Sequence, residues 1–194
     1  MKQKEDLRII KTKKNLYEGL LKLLREKPFE EIKVSDICSV SLINRSTFYD
    51  HFSDKYELLG TLIKDLEKEL EQKLSENKTA TGLREYYINM IKLLLDHVSE
   101  NITTYESIIK KNKSSIASDM FKNTLQKDIE KNLKTKKEIT KEIPAEIITN
   151  FYVSAVINVC LLYITDSKKY KKENVITYIE KLLPKNLYNE QKNK

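Results

Sequence analysis

Residues 32–59, IKVSDICSVSLINRSTFYDHFSDKYELL, decide the fold. The first piece, 34–40, is an apolar-periodic turn or two of helix with Ile37 facing inward. Ser41, Leu42, Ile43 and Asn44 break the pattern. Residues 45–51 resume it as a second short helix, for which Asn44 is a good N-cap. Residues 53–57 then open a long helix. Asp54 can cap it, with Glu57 three residues later in a capping-box-like arrangement. Two short helices across a four-residue break, the second one capped, match a helix-turn-helix.

Outward from this stretch the chain reads as helix in both directions. Upstream, Leu16, Leu20, Leu23 and Leu24 recur at helical spacing and predict a helix over about 8–27. Gly19 inside it costs up to about 1 kcal/mol against Ala, and its small size would let another helix approach closely. Pro28 stops that helix, and Phe29 and Ile32 return to the core. Residues 1–14 carry Lys2, Lys4, Arg8, Lys11, Lys13 and Lys14 against Glu5 and Asp6, a flexible basic arm running into the helix. Downstream, leucines from Leu58 to Leu74 carry the long helix to about Ser75, and a polar break follows at 76–82. Further helices are expected at 83–98, 105–111, 114–135, 144–165 and 174–183, with Pro144 in a first turn and 131–141 as a polar, mobile loop. The 144–165 helix is apolar nearly all round, which calls for central burial or burial against a second chain.

Composition agrees with an all-α chain. Only three Gly and three Pro occur among 194 residues, too few for the tight turns of an all-β fold. Hydrophobic residues reach 40%, enough for a real core. Two Cys, at 38 and 160, make no disulfide framework and fit a reducing cytoplasm. The opening residues are too polar for a signal peptide, and no apolar run reaches 18 residues, so no membrane span is expected. Cys38 and Cys160 read as core residues, and His97 as structural or exposed. With His51 they lack metal-ligand spacing, so no metal and no cofactor is implied. No Gly-rich phosphate loop, G-x-S-x-G or H-E-x-x-H occurs, and the acidic residues alternate with Lys along solvated helix faces, so an enzyme is not expected.

In a helix-turn-helix the second helix presents its N-terminal residues to the major groove. Here those are Arg45, Ser46, Thr47 and Tyr49. Arg can fork onto guanine, and Ser or Thr can bond a base edge or touch a thymine methyl. The segment resembles the DNA-binding domain of the TetR family of bacterial transcriptional regulators. The resemblance is carried by Val34, Asp36-Ile37, Asn44 to Tyr49, His51-Phe52, Asp54-Lys55 and Leu58, and above all by the run T-F-Y-x-H-F-x-x-K. It covers about residues 8–60. The remainder resembles, more weakly, the short C-terminal domains of such regulators from low-GC Gram-positive bacteria.

The resemblance implies an N-terminal three-helix DNA-binding domain at 1–56, with the motif at about 33–52, and a C-terminal helical dimerisation and ligand-binding domain at 57–194. It implies that Tyr49, His51 and Lys55 position the module on the phosphate backbone while Arg45, Ser46 and Thr47 read sequence. Phe48 and Phe52 would fix the recognition helix from the core. Three positions depart from the family pattern: Leu42 stands where Gly is frequent, Lys33 where a capping Thr is frequent, and Ser41 in the turn, a change of little consequence. If Leu42 needs a positive φ, the turn is strained. Lys33 loses a cap and places a cation near phosphate. Residues 1–55 hold 12 basic against 9 acidic side chains, so affinity should come from placed contacts and two-fold symmetry. The implied partners are a palindromic double-stranded operator, a second copy through 144–165 and 174–183, and a small-molecule effector. Tyr86, Tyr87, Tyr105, Phe121, Phe151 and Tyr152 could line an effector cavity or fill the core. The expected function is a repressor released by its effector; the alternative is an activator whose C-terminal domain docks a protein.

Overall fold

A computed structural model of the chain describes residues 7–76, 83–112, 116–134 and 143–183. Among these residues the structure is helical, without strands. The elements are α1 (Leu7–Glu26), a 3-10 turn (Phe29–Glu31), α2 (Val34–Ser41), α3 (Arg45–His51), α4 (Lys55–Glu76), α5 (Leu83–Glu100), α6 (Ile102–Lys111), α7 (Ile116–Lys134), α8 (Ala145–Thr165) and α9 (Lys172–Leu182). The all-α expectation is met. The part of the basic arm at 1–6 lies outside the described residues.

Two compact units divide the chain. One is residues 1–65 with Ser107–Phe121; the other is Leu66–Glu106 with Lys122–Lys194. The sequence division at 56/57 lies at the start of α4, a helix that continues unbroken to Glu76. α6 begins at Ile102, a turn earlier than expected, and α7 runs on to Lys134, into the segment read as a loop. An i,i+4 ion pair from Lys134 to Glu130 supports that last turn. Pro144 stands at the N-cap of α8 rather than inside its first turn.

The core of the first unit follows from the periodicity of its sequence. Leu16, Leu20, Leu23 and Leu24 of α1 pack with Phe29, Ile32 and Ile37, with Phe48 and Phe52 at α3, and with Leu58, Leu59 and Ile63 of α4. Ile108 and Met120 pack against this cluster from the 107–121 segment. α1 and α2 approach closely at Gly19, where an added Cβ would lie 2.1 Å from the Ser41 hydroxyl oxygen. Ser41 therefore matters more than its turn position suggested. It is buried, and among the described residues its hydroxyl has no hydrogen-bond partner.

In the second unit, Arg84 donates to the carbonyls of Glu180 (2.6 Å) and Leu183 (3.4 Å), groups that the end of α9 leaves open. Lys92 pairs with Glu180 at 2.8 Å and Lys172 with Asp96 at 2.6 Å, both tying α5 to α9. α8 buries Ile148, Val153, Cys160, Tyr163 and Ile164. It leaves Ile147, Phe151, Asn158 and Leu162 exposed on an outer face, at spacings of four and seven residues. By length and composition α8 is apolar enough to cross a membrane, which the sequence reading did not anticipate. One side of it is already packed within the protein.

Candidate nucleic-acid interface

Local chemistry sets the geometry of the two short helices. α2 ends with Leu42 in the left-handed region, at φ 56° and ψ 37°. The Ile43 amide donates to Cys38 O (3.0 Å) and the Leu42 amide to Ser39 O (3.4 Å), the bond pattern of a Schellman termination. This geometry favours glycine; for Leu it costs roughly 1–2 kcal/mol. The strain expected from the sequence is therefore present, and the Leu42 side chain is 92% exposed.

At the start of α2 the Asp36 carboxylate folds back onto the N-cap residue, Lys33. It accepts the Lys33 amide at 3.1 Å and the Lys27 ammonium at 2.7 Å. The Lys27 bond, then the Lys33 amide, hold its pKa below the ordinary value. Asn44 stands at the N-cap of α3 without a side-chain capping bond. Asp54 caps α4 as expected, its carboxylate accepting the amides of Tyr56 and Glu57, both at 2.8 Å. The Glu57 carboxylate closes the arrangement one residue further back, on the Ser53 amide at 2.7 Å.

α3 is anchored by Phe48, fully buried, with Phe52 buried just past its C-terminus; their ring centroids are 5.9 Å apart. Each such side chain contributes about 1.5–3 kcal/mol on burial. With those two fixed, Arg45, Ser46 and Tyr49 are exposed on α3, and Lys33 is exposed at the head of α2. Thr47 and His51 are half-buried. Tyr49 is held edge-on against Phe48 at 5.4 Å, and His51 lies 6.4 Å from Phe52. The arrangement offers a forked cation, hydroxyls and a phenol from one short, rigid helix.

Lys55 is engaged within the protein. Its ammonium donates to the carbonyls of Phe29 (2.8 Å), Glu30 (3.0 Å) and Ile32 (2.8 Å) and lies 4.7 Å from the Phe29 ring centroid. An ammonium has three protons, and all three have acceptors here. Burial pulls its pKa below the ordinary lysine value, against the pull of Glu30 and Asp36. In the free chain Lys55 therefore fastens α4 to the 3-10 turn.

A second fastening had no signal in the sequence. Asn112, 4% exposed and directly after α6, accepts the Phe29 amide on its side-chain oxygen at 2.8 Å. Its side-chain nitrogen donates to Leu24 O at 3.0 Å and Ile108 O at 2.9 Å.

Both cysteines are free thiols and buried. Burial raises the Cys38 thiol pKa, opposed by Arg45, and pushes Cys160 up to about 12. Of the residues suggested for an effector cavity, Tyr86 and Tyr87 stack edge-to-face at 5.3 Å. Tyr105 bonds His97 Nε2 at 2.8 Å, and burial pushes its pKa to about 12. His97 is thus half-buried with a specific partner. Tyr152 is half-buried, and the Phe121 side chain lies outside the described residues. Phe151 is 69% exposed on the outer face of α8, which removes it from any cavity inside the unit. The all-round apolar pattern of α8 gave no way to tell its inner face from its outer one.

Comparison with known proteins bears on both units. A family profile described as bacterial regulatory proteins, tetR family, matches residues 16–62, and one described as transcriptional regulator C-terminal region matches residues 85–185. Over 59 residues the chain is 44% identical to the uncharacterized HTH-type transcriptional regulator YxbF of Bacillus subtilis, covering 30% of this chain and 16% of that protein. Over 120 residues it is 29% identical to the HTH-type dhaKLM operon transcriptional activator DhaS of Lactococcus lactis, covering 61% and 60%. The chain thus spans about a sixth and three fifths of the lengths of these two relatives. It is also similar to the solved structure of a TetR transcriptional regulator from Streptococcus agalactiae, with a TM-score of 0.60 at 25% identity, covering 91% of this chain and 96% of that one.

Proposed function

Because this chain belongs to the TetR family of bacterial transcriptional regulators, we propose that it works as a homodimeric repressor that binds a palindromic operator and is released by a small-molecule effector. The observation that carries this reading is α3: Arg45, Ser46 and Tyr49 are exposed on a helix that Phe48 pins to the core. Arg45, Ser46 and Thr47 read base edges; Lys33, Tyr49 and His51 meet the phosphate backbone. Two such helices, related by the two-fold axis of a dimer, enter successive major grooves.

The outer face of α8 and α9 supports the dimer. Ile147, Phe151 and Leu162 on α8, with Tyr178 and Leu182 on α9, leave large apolar groups in water in the single chain. Such a patch calls for a partner, and a symmetric partner is a second copy. An effector would bind more tightly to the dimer whose two reading heads are wrongly spaced, and by that difference weaken DNA binding. The protein works in the cytoplasm.

One observation favours a second reading, in which the chain activates transcription: its likeness to DhaS, whose name is that of an operon activator. In that case the C-terminal domain, 57–194, docks a protein rather than a small ligand.

Titration of fluorescent DNA flanking the gene, at two salt concentrations and with scrambled competitor, tests the reading. Competitor-resistant binding of two protomers per site supports it. Binding that competitor abolishes, and that salt removes steeply, refutes it. Transcription in vitro from the bound promoter then separates repression from activation.

A further inference from the structure

The 3-10 turn Phe29–Glu31 joins α1 to α2, so it sets where α2 begins and where α3 follows. Two side chains from distant parts of the sequence hold it. Lys55, at the first turn of α4, takes the carbonyls of Phe29, Glu30 and Ile32. Asn112, at the end of α6, takes the Phe29 amide and the Leu24 carbonyl. The second pairing is specific in its chemistry. Leu24 O belongs to the last turn of α1, whose carbonyls lack helical partners. The Phe29 amide opens the 3-10 turn and likewise lacks a helical acceptor. A primary amide supplies one acceptor face and one donor face in a fixed plane. Asn112 therefore closes both groups across the Pro28 corner, while its donor also returns to Ile108 O of its own helix.

We propose that Asn112 is a positioning residue for DNA recognition, the latch through which the end of α6 fixes the corner between α1 and α2 and so the setting of α3. The proposal rests on the regulator reading above and adds to it a residue through which a regulatory state can act. A shift of α6 relative to the corner cannot keep both bonds: the acceptor is fixed to Phe29 and the donor to Leu24, on opposite sides of Pro28. The latch has two discrete conditions, made and broken, as a switching contact requires. Binding that favours the broken condition loosens the corner and weakens operator binding, and operator binding favours the made condition by the same coupling.

The test uses the full-length protein with its operator and with scrambled DNA of equal length. Asn112→Asp keeps the acceptor for the Phe29 amide and turns the donor into an oxygen facing two carbonyls. Asn112→Ala removes both sides. Circular dichroism first fixes a temperature at which each variant is fully folded. At that temperature operator affinity is expected to fall tenfold or more, with affinity for scrambled DNA within twofold of wild type. A lowered urea midpoint with operator affinity within twofold of wild type would overturn the proposal, leaving Asn112 as packing only. Should neither variant fold, hydrogen exchange in wild type decides. Peptides covering 24–32 are expected to gain protection on operator binding, and unchanged protection overturns the latch. If wild type itself shows no operator preference, the regulator reading fails, and the latch falls with it.

Discussion

Replacing Lys55 with methionine separates the two roles that a cation at this position can have. The side chain keeps its stem and loses its ammonium, so packing is nearly conserved. Three donated bonds disappear, to Phe29 O, Glu30 O and Ile32 O. The Glu30 bond is exposed and water replaces it at little cost. The other two are part-buried. A hydrogen bond to a charged group contributes about 1.5–3 kcal/mol net, and partial solvent access reduces each to about 1–2 kcal/mol. Lys55→Met should therefore lose about 2–4 kcal/mol of stability, which for a chain of this length lowers Tm by roughly 5–15 °C. Urea unfolding and thermal melts at fixed protomer concentration measure it, since dimerisation makes both depend on concentration. A loss under about 0.5 kcal/mol would refute the fastening. If that small loss came with uniformly weaker binding to all DNA, and a log–log salt slope shallower by about 0.9, Lys55 would be a phosphate contact as its sequence position suggested.

Other substitutions follow from the same geometry. Arg45→Ala should weaken operator binding by about 1–3 kcal/mol and relax the preference at one base pair, whereas Tyr49→Ala should weaken binding alike on all sequences; base-substituted operators in a titration tell them apart. Ser41→Ala removes a buried hydroxyl that has no partner among the described residues, and should raise stability by about 1 kcal/mol in urea unfolding. Leu42→Gly relieves the left-handed strain but adds freedom to the unfolded chain, for a net gain of roughly 0.5–1 kcal/mol. Asp36, whose folded pKa lies below the unfolded value of 3.8, contributes stability that is fully present above that value and is lost as pH falls through the folded pKa. Asp36→Asn should accordingly be less stable near neutrality and show a flatter stability profile below about pH 4. Leu162→Asp, on the outer face of α8, should leave the protomer folded and shift it to monomer in sedimentation velocity, with operator affinity lost in step.

Much of this was legible in the sequence because it is local. The helix-turn-helix needed only helical spacing, a break and an N-cap residue at Asn44, all within 28 residues, although the Asn44 side chain makes no capping bond. Leu42 was readable as a candidate for strain because Gly is frequent at its place in the turn of the family it resembles, and its φ of 56° bears out the condition. Gly19 was readable as a close-approach site, though not the identity of its neighbour. The outer face of α8 was not readable, because periodicity marks a face only when the opposite one is polar. Here Ile147, Phe151 and Leu162 alternate around the helix with buried Ile148, Val153 and Cys160. Asn112 was not readable because its partners lie 83 and 88 residues away. A lone Asn after a helix looks like any other C-terminal residue.

The role of Lys55 shows why a motif fixes a residue type before it fixes a function. Pro28 has no amide proton and ends α1. The chain turns through Phe29–Glu31, and that tight turn leaves carbonyls at 29, 30 and 32 facing one point. A cluster of carbonyl oxygens is an electrostatic site for a cation. The start of α4 supplies one, beside the turn that Asp54 caps. In the free chain the Lys55 ammonium fills that corner. The same corner leaves the Phe29 amide and the Leu24 carbonyl for Asn112. A lysine 27 positions after Pro28 and an asparagine 84 positions after it thus meet at one corner. Replacing Pro28 with alanine should loosen both fastenings together. Lys55→Met and Asn112→Ala should then add less in that background than in wild type, and full additivity would show that the corner does not couple them.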